Sequence, residues 1–427
     1  MPFDSIEITQ PTHPLNGSIQ VPGSKSITNR AMLLAAMADG RSTLRDVLLS
    51  DDTARMTAAL TALGFAVAID TYEPRITIDG RGGTIPAASA DLDAGGAGTA
   101  MRFIAGFLTL GHGRYRLDGN ARMRQRPIGA LLDALNGLGV SAVSEFENAC
   151  PPIVIDISTA LFKGGEATID ASLSSQFVSA LLLPAPFWRD GLRLKVNGDT
   201  ARPFILMTLR LMQQWGAAST TDGELIVVPG GQHYHAMDFT VEPDASSASY
   251  FAAAAALVGG SVTLTGMRRN SVQGDLSFLT ILERMGAQVD WRLDAVTVTG
   301  KGNLLGIDIA MNDIPDTVPT LAAIAPFASS PTRIRQVGFI RHHESDRIRA
   351  LATELARVGA AVTEHDDGLT ILPSQLHPAT IETYDDHRLA MAFAVTGLRQ
   401  PGLRISNPAC AAKTYPEFFN DLRRVIS

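Results

Sequence analysis

The chain has 427 residues and a net charge of −7, with 36 Lys and Arg residues against 43 Asp and Glu residues. This acidic balance excludes a generally basic nucleic-acid-binding protein, although it leaves room for a local basic site. Hydrophobic residues make up 45% of the chain and charged residues 19%, a composition typical of a folded protein with a large core. A chain of this length is expected to form two or three domains.

The cysteines and the chain start indicate the cellular compartment. The two cysteines, Cys150 and Cys410, are too few for a disulfide framework, and neither lies in a Cys/His cluster that would hold zinc. The first ten residues include two acidic residues and no apolar segment, so they do not resemble a signal peptide. The uncharged run 245–267 is broken by a Gly-Gly pair, and we predict a buried helix followed by a strand rather than a membrane span. These features predict a cytoplasmic protein with reduced thiols.

One form of helix ending recurs along the chain, with a glycine followed by small and apolar residues. It stands at Gly64, Gly139, Gly216, Gly286 and Gly359, at intervals of 70 to 77 residues. A last helix, FFNDLRRVIS, follows after one more interval, so the chain divides into about six units. Each unit carries an apolar, Ala-rich helix, a short β-segment and an amphipathic helix that ends at the recurring glycine. Alternating stretches after these glycines predict hairpin strands.

These units predict the architecture. The apolar helix of each unit has no polar face, so we expect it to be buried beneath the amphipathic helices and the sheets. Six units together are too long to share one hydrophobic core, because single cores stop growing at about 250–300 residues. We therefore predict an α/β (α+β) protein with two domains of three units each. The polar, turn-rich stretch that ends near residues 240–242 predicts a crossing between the domains.

Cations gather at equivalent positions of the units, beside the starts of the apolar helices. Lys25, Arg30, Arg102 and Arg388 lie at such starts, where backbone N–H groups also favour anions. Taken singly, polar residues there fit helix capping, and a single arginine fits an exposed surface position. Further basic residues precede the amphipathic helices, namely Arg122, Arg124, Arg126, Arg341, Arg347 and Lys413. Together they predict a small substrate that carries two anionic groups, such as a phosphate and a carboxylate.

Three other enzyme classes fit the sequence poorly. The segment PGSKS is not a P-loop, because Ser24 separates Gly23 from Lys25 and the upstream glycine is missing. The histidines have no partner ligands at metal-binding spacings. The G-x-S-x-G motif of many serine hydrolases is absent.

Eight motifs, in order from Pro22 to Phe419, resemble those of the EPSP synthases, the 3-phosphoshikimate 1-carboxyvinyltransferase family of enolpyruvyl transferases. They are PGSKSITNRAMLLAA, AGTAMR, RPIGALLDAL, SSQFVSALLL, EPDASSASYFAAAAA, HESDR, TYDDHRLAMAF and AAKTYPEFF. The resemblance implies the two-domain enolpyruvyl transferase fold, built from six βαβαββ repeats with buried helices, three in each domain. It implies one domain formed by residues 1–22 and 241–427, and another formed by residues 23–240.

The resemblance also implies an activity. Enzymes of this family transfer the enolpyruvyl group of phosphoenolpyruvate to the 5-hydroxyl of shikimate 3-phosphate and release phosphate. This step belongs to the shikimate pathway of chorismate and aromatic amino-acid biosynthesis, and the family is the target of glyphosate. The implied enzyme uses no metal and no organic cofactor. Its only implied partners are the two small-molecule substrates, with no nucleic acid and no membrane, and we expect a cytoplasmic monomer.

The family's site residues can be carried over to matching positions. The resemblance implies that Asp316 takes the 5-hydroxyl proton, that Glu344 takes part in proton transfer at the methylene carbon, and that Lys25 and His343 complete the catalytic set. The implied contacts of shikimate 3-phosphate are Lys25, Ser26, Arg30, Ser174, Ser175, Gln176, Asp316 and His343. The implied contacts of phosphoenolpyruvate are Lys25, Gly98, Arg126, Gln176, Arg347, Arg388 and Lys413.

Several positions depart from the commonest family pattern. They are Gly96, Phe103, Ala201, Phe204, Phe339 and His343. The last departure matters most, because Lys is usual there and a histidine is charged near pH 7 only when its protonated form is stabilised. We expect His343 to work as a cation whose protonation gives the reaction an acidic preference.

Two rival functions are disfavoured. UDP-N-acetylglucosamine enolpyruvyltransferase, a relative in the same superfamily, typically needs a reactive Cys in the second-unit loop, and this chain has DGNARMRQRP there. A catalytically inactive anion-binding protein that kept the fold is the rival from another class. Four retained residues argue against it, namely Asp316, Glu344, Lys25 and Arg388. The departures at His343 and Ala201 argue for it.

Overall fold

The computed structural model describes residues 5–158, 162–198 and 201–426. The first four residues and Ser427, which the sequence assigns to the discontinuous domain, lie outside the described residues. In the described residues the helices are α1 (Lys25–Met37), α2 (Asp51–Ala62), α3 (Gly98–Phe107), α4 (Gly129–Gly137), α5 (Gln176–Leu182), α6 (Arg202–Gln214), α7 (Ala245–Val258), α8 (Ser277–Arg284), α9 (Val318–Ile324), α10 (Arg347–Arg357), α11 (His387–Gly397) and α12 (Phe418–Ile426).

The same residues contain short strands, most of them three to seven residues long. They are β1 (Ser5–Glu7), β2 (Leu15–Ile19), β3 (Asp39–Arg45), β4 (Ala66–Asp70), β5 (Arg75–Arg81), β6 (Ser89–Asp93), β7 (Arg114–Asp118), β8 (Ser141–Ser144), β9 (Ile153–Asp156), β10 (Gly165–Asp170), β11 (Leu192–Asn197), β12 (Thr220–Asp222), β13 (Leu225–Val228), β14 (Asp238–Thr240), β15 (Gly260–Thr265), β16 (Gln288–Trp291), β17 (Ala295–Gly300), β18 (Asp308–Ala310), β19 (Thr332–Arg335), β20 (Val362–His365), β21 (Gly368–Ile371), β22 (Thr380–Ile381) and β23 (Arg404–Ser406).

The chain forms two compact units. The discontinuous unit comprises Met1–Pro22 and Glu242–Ser427, and the continuous unit comprises Gly23–Val241. Val241 thus belongs to the continuous unit, one residue beyond the boundary expected from the sequence. The physical reason is local, because its backbone N–H donates a hydrogen bond to the carbonyl of Arg45 at 2.9 Å.

The expected βαβαββ repeat is present. In the second repeat of the continuous unit, β6, α3, β7, α4, β8 and β9 follow one another and form the sheet β6-β7-β9-β8. Its first two strands are parallel and the remaining pairs are antiparallel. The sheets β10-β11-β13-β12 and β18-β19-β21-β20 have the same order and the same strand directions. The enolpyruvyl transferase fold expected from the sequence is therefore confirmed.

The remaining repeats take a strand from a distant part of the chain. In the discontinuous unit β2 pairs in parallel with β15, and in the continuous unit β14 pairs in parallel with β3. The last repeat forms a three-stranded sheet, β1-β23-β22, in the described residues. Its antiparallel strand β1 comes from the start of the chain. The last repeat is thus completed by the N-terminal strand where the other repeats have a hairpin.

Each repeat has an inner and an outer helix. The inner helices α1, α3 and α5 belong to the continuous unit, and α7, α9 and α11 pack against one another in the discontinuous unit. Every residue of α11 is buried, as expected for an apolar helix without a polar face. The run 245–267 forms α7 and then β15, which confirms the predicted helix and strand. In the described part of the chain no helix is long and apolar enough to cross a membrane.

Candidate active site

Three of the expected site residues of the discontinuous unit come together where helices begin. Asp316 lies in a 3-10 turn before α9, Arg347 is the first residue of α10, and Arg388 is the second residue of α11. Arg388 Nη2 donates to Asp316 Oδ2 at 2.6 Å, and Arg347 Nη1 donates to Asp316 Oδ1 at 3.3 Å. Two arginines thus hold the carboxylate that the resemblance implies as the acceptor of the 5-hydroxyl proton.

Both arginines remain charged despite their burial. Burial is the largest single influence and works to lower the pKa of Arg388, but Asp316, Tyr250, Asp244 and Asp275 together outweigh it, and the pKa lies above its ordinary value. Burial likewise opposes the charge of Arg347, and the carboxylates of Asp386, Glu344 and Asp316 raise its pKa above the ordinary value. These two guanidinium groups are therefore permanent cations that can hold a phosphate or a carboxylate.

Glu344 joins a second pair of expected residues to this cluster. Its Oε2 accepts a hydrogen bond from Arg347 Nη2 at 2.8 Å, and its Oε1 accepts one from Lys413 Nζ at 3.2 Å. Lys413 ends the 3-10 turn Pro408–Lys413 that precedes α12. The structure therefore brings Asp316, Glu344 and three cations into one connected set within the discontinuous unit.

His343 contacts this set through Arg347. Its Nδ1 lies 3.1 Å from Arg347 Nη1, and its ring packs edge-on against Phe339 with 5.8 Å between the centroids. A guanidinium N–H can only donate, so Nδ1 must accept, which requires a neutral imidazole with its proton on Nε2. In this arrangement His343 is an acceptor, and its expected role as a cation in the substrate complex stays a prediction. A charged His343 requires the contact with Arg347 to change.

Asp386 is a site residue that the sequence interpretation missed. It is completely buried, and its Oδ2 accepts hydrogen bonds from Arg347 Nε at 2.9 Å and from Ser345 Oγ at 3.0 Å. Its Oδ1 accepts from the backbone N–H of Arg388 at 3.0 Å and so caps α11. Its position directly before His387-Arg388 could have marked it in the sequence. Helix capping alone, however, is a sufficient explanation for an acidic residue at a helix start, so the contact with Arg347 was not expected.

A further buried carboxyl, Asp275, lies beside this cluster. Its Oδ2 accepts a hydrogen bond from Ser246 Oγ at 2.5 Å, and its buried Oδ1 has no hydrogen-bond partner among the described residues. Burial and the negative charges of Asp316 and Asp244 raise the pKa of Asp275 to about 7, although Arg388 and Ser246 oppose the shift. This carboxyl was not singled out from the sequence, because nothing in the motif QGDL marks it as buried.

In the continuous unit, Lys25 and Ser26 begin α1. The side chain of Lys25 is largely buried, and its Nζ lies 3.4 Å from Oδ2 of the buried Asp52 at the start of α2. Asp52 is a second partner that the sequence interpretation missed. Its carboxylate fixes the ammonium group beside the N-terminus of α1.

Arg30, an expected contact of shikimate 3-phosphate, is buried in the continuous unit. It is 2% exposed, and its guanidinium stacks over the ring of Phe103 at 4.8 Å from the centroid. Its donors are engaged inside the unit, and burial lowers its pKa to about 9. The guanidinium nitrogens of Arg30 donate hydrogen bonds to Thr208 Oγ1 (2.7 Å), Ser26 O (2.9 Å), Ser179 Oγ (3.2 Å) and Phe204 O (3.2 Å). Arg30 therefore joins α1 to α5 and α6, and its expected contact with shikimate 3-phosphate stays a prediction.

Gly98 and Arg126 are brought together at the start of α3. A Cβ added to Gly98 would lie 2.7 Å from Arg126 Nη2 and 2.8 Å from Nη1, so the guanidinium packs directly on the glycine. Arg102 Nη1 donates to the carbonyl of Gly98 at 3.4 Å, and its Nη2 donates to the carbonyl of Pro127 at 3.1 Å. Arg102 thereby ties the loop that carries Arg126 to the helix that begins at Gly98.

The other expected residues of this unit lie at the starts of α5 and α6. Ser174 Oγ accepts from the backbone N–H of Gln176 at 3.2 Å, and Ser175 between them is buried. Ala201, which precedes α6, has a positive φ of 51°, and Phe204 offers its backbone carbonyl to Arg30. Gln176 is the first residue of α5, on the same helix as Ser179, which contacts Arg30. Within the described residues, no group of three or more His, Cys, Asp or Glu side chains is arranged to hold a metal ion.

The chain is similar to known proteins over nearly its full length. The family model for EPSP synthase (3-phosphoshikimate 1-carboxyvinyltransferase) matches residues 9–422. The 3-phosphoshikimate 1-carboxyvinyltransferase of Nostoc sp. (strain PCC 7120) is 45% identical over 426 residues, which cover 99% of this chain and 100% of the relative. The corresponding protein of Nostoc punctiforme is 46% identical over 419 residues, which cover 98% of each chain.

Solved structures agree with these relatives. The structure of EPSP synthase from Acinetobacter baumannii matches with a TM-score of 0.81 and 27% identity, covering 99% of this chain and 97% of that one. The enolpyruvyl transferase NikO from Streptomyces tendae has a TM-score of 0.78 at 20% identity, covers 100% of this chain and 98% of that one, and shares the fold. With a family match over nearly the whole chain and relatives at this level of identity, this chain belongs to the EPSP synthase family.

Proposed function

We propose that this chain transfers the enolpyruvyl group of phosphoenolpyruvate to the 5-hydroxyl of shikimate 3-phosphate, releasing phosphate. The observation that carries the proposal is the 45% identity over 99% of the chain to a relative that bears the name of this activity. The cluster of Asp316, Glu344, Arg347, Arg388 and Lys413 supports it, because it joins proton-transfer groups to permanent cations.

The cations supply binding for phosphoenolpyruvate. A phosphate and a carboxylate are each well bound by guanidinium forks, and Arg347 and Arg388 are both buried and charged. In this structure Asp316, Glu344 and Asp386 occupy these cations. An anionic substrate therefore has to share or replace these carboxylates, which favours a ligand with two charged groups over one with a single charge.

The reaction needs two proton movements that carboxylates can perform. In the addition step, Asp316 accepts the proton of the 5-hydroxyl, the oxygen bonds to C2 of phosphoenolpyruvate, and an acid delivers a proton to C3. In the elimination step, a base removes a proton from the new methyl group, the double bond forms again, and the C–O bond to phosphate breaks. Glu344 fits the acid and base at C3, since Lys413 and Arg347 hold it in one position.

The residues of the continuous unit complete the proposal. Lys25, Ser26, Arg30, Ser174, Ser175 and Gln176 bind shikimate 3-phosphate, and Lys25, Gly98, Arg126 and Gln176 also serve phosphoenolpyruvate. Lys25 supports this best, because it lies at a helix N-terminus and its ammonium group is fixed by Asp52. We also propose a monomeric, cytoplasmic enzyme, and the two free cysteines fit a reducing compartment.

A phosphate-release assay tests the proposal. The purified chain is expected to release one phosphate for each phosphoenolpyruvate consumed, and only when shikimate 3-phosphate is also present. Asp316→Asn serves as the inactive control, because an amide cannot accept the hydroxyl proton. No phosphate release by folded protein with both substrates would refute the function. Release from phosphoenolpyruvate alone would indicate a hydrolase instead.

A further inference from the structure

Glu354 is a completely buried carboxylate in the discontinuous unit that the proposed chemistry does not use. It lies on α10, and its Oε2 accepts hydrogen bonds from the backbone N–H of Glu382 at 3.0 Å and from Arg357 Nε at 2.7 Å. Its Oε1 accepts from the hydroxyl of Tyr384 at 2.8 Å and from Arg357 Nη2 at 3.3 Å. These hydrogen bonds offset the free-energy cost of removing the carboxylate from water. They also hold Arg357, Glu382 and Tyr384 in place around Glu354.

The segment that supplies two of these donors is strained. Tyr384 and Asp385 have φ values of 53° and 55°, a left-handed conformation that non-glycine residues rarely adopt in succession. Such conformations persist only where surrounding contacts impose them, and they concentrate at functional sites. Local contacts exist, since Tyr384 N donates to Glu382 Oε1 at 3.2 Å and Asn407 Nδ2 donates to Asp385 Oδ1 at 3.2 Å.

This strained turn leads directly into the cation cluster. Asp386 follows it, caps α11 and binds Arg347, and Arg388 comes two residues later. Arg347 and Glu354 are seven residues apart on α10, which places them on the same face of the helix. One face of α10 therefore holds the segment 382–386 by hydrogen bonds at two points. Arg347 bonds Asp386, and Glu354 bonds Glu382 and Tyr384.

We propose that Glu354 is a positioning residue for phosphoenolpyruvate binding, because it holds the Tyr384–Asp385 turn on α10 and thereby sets the places of Asp386 and Arg388. It touches no substrate and acts only through the turn. Tyr384 is its partner, since its hydroxyl is the side-chain donor from the turn to Glu354. The inference rests on the proposed function, in which Arg347 and Arg388 bind phosphoenolpyruvate.

Steady-state kinetics of Tyr384→Phe and Glu354→Gln test the inference. Tyr384→Phe removes one hydrogen bond from a side chain that is partly exposed, so the chain is expected to fold. Its KM for phosphoenolpyruvate should rise roughly 3- to 10-fold, the equilibrium equivalent of one hydrogen bond. Glu354→Gln should raise it further, because the amide nitrogen would face N–H or O–H donors. The KM for shikimate 3-phosphate should change less than about twofold in both variants.

A double variant and a matched control separate positioning from general loosening. Tyr384→Phe combined with Glu354→Gln should raise the KM for phosphoenolpyruvate by less than the product of the two single rises, since both substitutions act on one contact. Tyr115→Phe is the control, because it also removes a tyrosine hydroxyl, one in the continuous unit that donates to the carbonyl of Ala87 at 2.7 Å and accepts from the backbone N–H of His112 at 3.3 Å. It should leave both KM values unchanged. Equal rises in the two KM values of Tyr384→Phe, or no rise in either, would overturn the inference.

Arg388→Ala distinguishes failure of this inference from failure of the proposed function. If Arg388→Ala keeps the native KM for phosphoenolpyruvate, the proposed site is wrong and the inference falls with it. If Arg388→Ala loses phosphoenolpyruvate binding while Tyr384→Phe keeps the native KM, the proposed site stands and only the role of Glu354 is refuted. Should Glu354→Gln fail to fold, Tyr384→Phe decides alone.

Discussion

At the residue scale, two of the departures from the family pattern are each other's neighbours. Phe339 packs edge-on against His343, and His343 accepts from Arg347. A histidine in this position is held by an apolar ring on one side and a cation on another. Its charge in the working enzyme then depends on whether a bound anion and Glu344 outweigh Arg347, since opposite charges favour the protonated form and like charges oppose it.

The pH dependence of turnover tests this balance at His343. We predict that turnover falls as pH rises, because His343 becomes protonated when anionic substrate binds and loses that proton at higher pH. His343→Lys should flatten the fall, since a lysine keeps its charge to about pH 10. His343→Gln should lower turnover at every pH. If His343→Gln kept full turnover at every pH, acceptance from Arg347 would be the whole role of this side chain.

Asp275 gives a prediction about stability and pH. The pKa of Asp275 is raised to about 7 in the folded chain, whereas the pKa of an ordinary aspartate is about 3.9. The folded state therefore holds this proton more tightly than the unfolded state. The stabilisation is fully present at low pH and is lost as pH rises from about 4 to about 7, at roughly 1.4 kcal/mol per pH unit.

Asp275→Asn should remove this dependence while keeping the shape of the side chain. The stability of the variant relative to the parent chain is expected to rise between pH 5 and pH 8, because the asparagine never has to carry a buried charge. Urea unfolding at both pH values measures it. Asp222→Asn, on an exposed strand residue, is the control for loss of one carboxylate. An unchanged difference between the two pH values would contradict the raised pKa of Asp275.

At the scale of elements, the inner helices could be predicted from sequence and their polar contacts could not. The run that forms α11 has no polar face, so burial follows from its composition alone. Arg30 also lies in an apolar helix, in the second turn of α1, but its partner Thr208 lies 178 residues away, and no local pattern indicates that contact. The pairing of β1 with β23 could not be predicted for the same reason, since the paired residues Ser5 and Ser406 are separated by almost the whole chain.

The start of α3 provides a prediction for an element boundary. Gly98→Ala would place a methyl group 2.7–2.8 Å from the Arg126 guanidinium nitrogens, so Arg126 has to move. We expect the KM for phosphoenolpyruvate to rise about tenfold or more, the equivalent of roughly 1.4 kcal/mol, with a smaller change for shikimate 3-phosphate. Gly137→Ala is the matched control, because it also lies in a helix and an added Cβ meets nothing within 4 Å. Equal KM values for the two variants would contradict the assignment of Arg126.

At the scale of the whole molecule, the order of the chain sets when each unit can be completed. The discontinuous unit contains both chain ends, and β1 pairs with β23 near the C-terminus. The continuous unit likewise needs β14, the last strand before the second crossing, to complete the sheet that begins with β3. In the described residues, the continuous unit has all its strands once the chain is made up to Val241, whereas the discontinuous unit still needs β23 near the C-terminus for its last repeat.

The proposed division of residues between the units predicts that cations far apart in sequence act on one substrate. Lys25 belongs to the continuous unit and Arg388 to the discontinuous unit. If both bind phosphoenolpyruvate, Lys25→Ala and Arg388→Ala should each weaken its binding by at least tenfold in calorimetry, because each removes a charge-assisted hydrogen bond worth about 1.5–3 kcal/mol. Only Lys25→Ala should also weaken shikimate 3-phosphate strongly. Lys195→Ala, on an exposed position of β11, should change neither affinity. Normal binding of phosphoenolpyruvate by Lys25→Ala would confine that substrate to the discontinuous unit and refute the shared role.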